Sequence, residues 1–124
     1  MTLSAFVLSA DTLRYLQEHP DRHDQTWWID TDADNACGTT HCIAGTICHL
    51  AGLPWTGTAH VISPDGIRRS VPHAAARLVS MEWRMAIAVF YEPDEERALE
   101  LFTQHVAALG KTHVHALART LETV

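Results

Sequence analysis

The chain has 124 residues, 47% of them apolar and 19% charged, with a formal net charge of −6. That length suits one domain, residues 1–124, with a real core, and the composition excludes a disordered chain. The acidic balance weighs against a nucleic-acid partner, because phosphate contacts need basic patches and Arg68–Arg69 is the only adjacent basic pair.

Leu3, Phe6, Val7, Ala10, Leu13 and Leu16 recur at helical spacing, which predicts an amphipathic helix from Ser4 to Glu18, stopped by Pro20. A polar stretch, Asp21 to Thr26, leads to Trp27, Trp28 and Ile29, expected to cover one edge of the core. Asp30, Asp32, Asp34 and Asn35 have the spacing of a calcium loop. Asn35 stands where that loop needs glycine and His41 where it needs glutamate, so the run reads as a solvated acidic turn.

Cys37 to Leu53, CGTTHCIAGTICHLAGL, carries all three cysteines. It predicts a central helix over about residues 39–51, with Thr39 or Thr40 as N-cap, Gly52 at the left-handed C′ position and Pro54 blocking continuation. Ile43, Ala44, Ile47, Leu50 and Ala51 share one face, and His41, Cys42, Gly45, Cys48 and His49 the other. Neither face is charged when the histidines are neutral, so the helix is expected to be buried all round. Thr58–Ile62 and Ile67–Val71 flank Ser63-Pro64-Asp65-Gly66, a hairpin over about residues 58–71 that must pack on helices to persist. Pro72 can start the next helix, with Ala74–Val79 in it, and Ser80 is placed as N-cap of a helix from Met81 to Phe90 whose inward face is Trp83, Ile87 and Phe90, with Met85 and Ala86 as further candidates. Pro93-Asp94-Glu95-Glu96 opens a helix with the buried stripe Ala98, Leu101, Phe102, Val106 and Leu109; Gly110 is placed as its end and Thr112 as the cap of a last helix. The fold expected is α+β, mainly α-helical, with about five or six helices around the central one.

Cys37-Gly-Thr-Thr-His-Cys-Ile-Ala-Gly45 resembles the C-G-T-x-x-C-I-A-G core of a family of small uncharacterised proteins from actinobacteria and their phages. The resemblance extends to His19-Pro20, Asp24-Gln25 and the helices around Ala74–Tyr91, and it implies a source and a fold but no mechanism. Cys37-Gly38 also resembles, more weakly, the helix start of papain-like cysteine peptidases, and Gly57–Ile62 their histidine-bearing strand, although only 22 residues separate Cys37 from His60.

Three kinds of chemistry can be placed on these residues. Catalysis would use Cys37, whose thiolate a helix N-terminus stabilises, with His41 or His60 as base, giving a cysteine-dependent hydrolase on Cys37 and His60. Metal binding would use Cys37, His41 and Cys42, completed by His60 or His73, with zinc as the ion that such ligands take. A Cys37–Cys42 disulfide is opposed by a reducing cytosol. Partner binding would use Trp27, Trp28 and Trp55, tryptophans near loops being frequent interface anchors. His19, His23, His105, His113 and His115 are assigned no role. There is no phosphate loop, dinucleotide fingerprint, membrane span or signal-peptide pattern. No cofactor is expected. The clustered, odd number of cysteines places the chain in the cytoplasm, the host's if phage-encoded. The function expected is a small cytosolic binding or regulatory protein acting on a protein partner, without nucleic acid or membrane, and compatible with homo-oligomers.

Overall fold

The computed structural model describes residues 3–19, 42–57 and 59–122. In chain order these form α1 (Leu3–Glu18), α2 (Ile43–Leu50), β1 (His60–Ile62), β2 (Arg68–Ser70), α3 (Val71–Leu78), α4 (Trp83–Phe90) and α5 (Glu95–Glu122). The expected class, mainly helical α+β with one hairpin, is the one adopted. Helix α2 packs on α1, α3 and α4, while α5 packs on α1 and α4. No helix among the described residues is long and apolar enough to cross a membrane.

The central helix is shorter than expected at its start. Cys42 is its N-cap, with an extended backbone and Sγ accepting the Gly45 N–H at 3.3 Å, in place of the threonines expected there. At the other end Leu53 N–H bonds the Cys48 carbonyl and Gly52 N–H the His49 carbonyl, with Gly52 at φ +72°. That paired closure is the Schellman arrangement, and the glycine is where the helix needs it. Ile43 through Cys48 are all buried, as a helix without a charged face requires.

Helix α1 turns a different stripe inward from the one its large residues suggest. Ala5, Ser9, Thr12 and Leu16 are buried, and Val7 is exposed. The hydroxyls of Ser9 and Thr12 donate to the Ala5 and Leu8 carbonyls one turn back, so they enter the core already satisfied. Their small size lets the neighbouring helices approach closely.

The hairpin pairs His60 with Ser70, Val61 with Arg69 and Ile62 with Arg68. Pro64-Asp65-Gly66 makes a type I turn closed by the Gly66 N–H to the Ser63 carbonyl, with Gly66 at φ +83°. The sheet is completed on its other side by Trp55, which bridges Val61, and Val61 is buried in the core. β1 and β2 both pack on α3, as a two-stranded unit must against something.

The remaining helices differ from expectation at three junctions. Ser80 follows Val79, the C-cap of α3, and is not the cap of α4: Met81 N–H returns to the Ala76 carbonyl and Ser80 N–H to that of Arg77, with Ser80 at φ +52°. It fills a position that glycine usually takes. Glu82 is the N-cap of α4. Helix α5 begins at the Asp94 carboxylate, which accepts the N–H groups of Glu96 and Arg97. It then runs straight through Gly110 as one helix of 28 residues. Gly110 serves packing there, since a Cβ would stand 3.0 Å from Phe6 Cε1 on α1. Thr112 caps nothing; its hydroxyl donates to the Ala108 carbonyl. The expected α5 stripe holds, with Ala98, Phe102 and Leu109 buried and Leu101 and Val106 packed beside them.

Helix α4 buries Phe90 and Ala86 as expected but is rotated away from Trp83 and Ile87. Ala86, Val89 and Phe90 face the core, while Trp83 and Ile87 face outward. Apolar residues occupy almost every position of this helix, so periodicity alone does not fix its rotation. Ala86 on the inner side lets the backbone come close, which larger residues there would prevent.

Candidate binding groove beside helix α4

The described cysteines belong to the core. Cys42 is fully buried and caps α2. The Cys48 thiol donates to the Val71 carbonyl at 3.7 Å, and burial, reinforced by Cys42, pushes its pKa up to about 12. A thiol held protonated in this way is a poor nucleophile. The two cysteines are six positions apart, about 9 Å by helical rise, which is too far for a bridge between them. Cys37 and His41 lie outside the described residues, as do Trp27 and Trp28. Of Cys37, His41 and Cys42 the structure therefore places Cys42 alone, and of the catalytic pair His60 alone. His60 is half-buried on β1, directly across from Ser70. Among the described residues, no group of three or more His, Cys, Asp or Glu side chains is placed to hold a metal ion. Trp55 is half-buried and packs against the core beside the hairpin.

A different set of residues converges where the hairpin meets α3 and α4. Strand alternation puts Arg69 on the same face as the buried Val61, which points toward α3. The Arg69 side chain is only 24% exposed, and its Nη2 donates to Asp65 Oδ2 at 2.8 Å. Its Nε is buried without a hydrogen-bond partner. Asp65 also accepts the Ile67 N–H at 3.2 Å, and these two bonds, that from Arg69 foremost, hold its carboxyl below the ordinary carboxylate value. Arg77 reaches the same Oδ2 at 3.8 Å from the exposed side of α3, with its side chain 62% exposed. Two guanidiniums thus share one carboxylate.

These groups border two hollows. The larger, about 370 Å³, is walled by Arg69, His73, Arg77 and Trp83 over a floor of Ala76 and Met81. The smaller, about 210 Å³, lies on the other side of Arg77, between the hairpin turn and Ala74 and Leu78. Ser63, only 6% exposed, lines it, and the Ser63 hydroxyl is buried without a hydrogen-bond partner. The His73 ring stacks on Trp83, with centroids 4.1 Å apart and planes 15° apart, and shares a hydrogen bond with the Ser70 hydroxyl.

The groove opens onto the outer face of α4. Trp83, Ile87 and Tyr91 stand four residues apart in succession, at 37%, 47% and 54% exposure. Large apolar side chains that line up on a helix and stay exposed mark an interaction surface more often than scattered ones do. Sequence reasoning placed Trp83 and Ile87 in the core and counted Arg69 only as charge. The hairpin register was the available signal, because a turn at Pro64-Asp65-Gly66 fixes Arg69 on the inner face. One assigned-no-role histidine also gains a structural part: His105 is half-buried and donates through Nε2 to the Val79 carbonyl at 2.9 Å, closing the end of α3. No protein-family model, curated protein or solved structure matches the chain.

Proposed function

We propose that this chain acts by binding a partner protein, and that the outer face of α4 is the contact surface. The observation that carries this reading is the exposed stripe Trp83–Ile87–Tyr91. Aromatic anchors beside arginines are the composition of interface hot spots, and folding gains little from leaving them in water. Trp55 keeps a structural part in this reading, because it closes the hairpin against the core.

The test is comparative affinity capture from cells that contain the natural partner, using the full chain and an Ile87→Asp variant. Ile87 is exposed, so the variant is expected to keep the circular-dichroism spectrum and melting temperature of the parent. A protein retained by the parent and lost by Ile87→Asp supports the reading. Identical capture by both chains overturns it.

A further inference from the structure

We propose that the groove between the hairpin, α3 and α4 takes an acidic peptide segment, one carboxylate resting on Arg77 and a neighbouring apolar side chain on Trp83; this rests on the reading of α4 as a docking face.

Charge complementarity points to the occupant. The chain as a whole is acidic, at −6, yet the groove sets Arg69 and Arg77 against the single carboxylate of Asp65. Asp65 is already committed to Arg69 and to the Ile67 N–H, and its distance to Arg77 is 3.8 Å, longer than a hydrogen bond. A cation therefore stands at the mouth with donors to offer. Guanidinium is the group best shaped to hold a carboxylate by two parallel bonds. Two arginines grouped on a chain of net negative charge favour an acidic partner at this place, which orients the encounter.

Shape argues for a peptide over a small anion. Arg77 separates the two hollows, so a ligand bound at its guanidinium can fill both. The larger offers Trp83, Met81 and Ala76 to an apolar side chain. The smaller is walled by the hairpin turn on one side and by Ala74 and Leu78 on the other, a narrow lining that suits a further residue of the same segment. From Trp83 the exposed stripe continues to Tyr91, about 12 Å along α4 by helical rise. That path is longer than a simple carboxylate and suits several residues of chain.

The test is selection of random twelve-residue peptides on the full chain, followed by titration of the enriched peptides with chemical shifts recorded by NMR. Enrichment of an acidic residue close to an aromatic or aliphatic one is expected, with shifts at Arg69, Arg77 and Ser63 as well as along α4. Arg77→Gln should weaken binding at least about ten-fold, and Arg77→Glu should recover it for the peptide whose acid is changed to lysine. Enriched peptides without an acid, or binding unchanged in Arg77→Gln, overturn the groove proposal. If such peptides still shift Trp83, Ile87 and Tyr91, the docking reading survives that failure; if no peptide shifts either region, both fail. Inorganic phosphate that shifts the Arg69 and Arg77 side-chain signals at the same concentration as the best peptide also overturns the proposal, since a plain anion would then suffice.

Discussion

Helices α2 and α4 are each eight residues long, and each is apolar around most of its circumference. In α2 the run Ile43 to Cys48 is buried without a break, because α1, α3 and α4 enclose it. In α4 only Ala86, Val89 and Phe90 are buried, and Trp83 and Ile87 stay in solvent. The difference is one of neighbours, not of composition. Apolar residues in a surrounded helix are explained by folding. In a peripheral helix the same residue types exceed what folding requires, and that excess is what supports the proposal of α4 as a docking face.

The largest expected effect separates the two helices by one substitution in each. Ile47→Ala in α2 removes a fully buried side chain and should lower the unfolding free energy by about 2–5 kcal/mol. Ile87→Ala in α4 removes an exposed one and should stay within about 0.5 kcal/mol. Urea denaturation of both variants checks the pair. Comparable losses would mean that Ile87 belongs to the core and that α4 has no spare apolar face.

A second test uses the chemistry of α2. Cys48 is held protonated to about pH 12 in the folded chain, against an ordinary thiol value of 9.0. The folded pKa is the raised one, so its contribution to stability is intact below about pH 9 and is lost as pH rises toward 12. Stability of the parent should therefore fall across that window. Cys48→Ala should start lower, by about 1 kcal/mol for the lost packing, and decline less steeply. Melting temperatures of both chains from pH 8 upward give the comparison. Parallel slopes would show that the thiol is hydrated, and that α2 is less enclosed than its burial implies.

The architecture was legible because it rests on local rules. Pro64-Asp65-Gly66 makes its turn through backbone preference, Gly52 ends α2 by taking positive φ, and the uncharged α2 is buried because it has no side to show water. The site was not legible in the same way. Trp83 and Arg69 owe their roles to rotation of α4 and to the face of β2 that meets α3, and both depend on long-range packing. Gly110 shows the same limit. A glycine late in a helical pattern signals an end, and only the presence of Phe6 on α1 makes it a packing position. The thiol chemistry attached to Cys37 falls outside the described residues, while its described neighbours Cys42 and Cys48 are consumed by capping and core packing.

The smallest expected effect concerns the joint that aims α4 outward. Ser80 sits at φ +52°, between the last turn of α3 and Met81, and its N–H to the Arg77 carbonyl, with that of Met81 to Ala76, closes that turn. An L-residue in this conformation carries a strain of about 1 kcal/mol that glycine does not. Glycine also loses more chain entropy on folding, which offsets part of the gain. Ser80→Gly should therefore raise the unfolding free energy by about 0.5 kcal/mol, measurable as a small rise in denaturation midpoint. Ser80 lines the larger hollow, so the same variant asks whether the joint does more than connect. If stability rises and peptide affinity stays constant, Ser80 is a geometric compromise at a helix end. If affinity falls while stability rises, the strained joint holds Trp83 against the groove, and the contrast between the enclosed α2 and the presented α4 is maintained by that one residue.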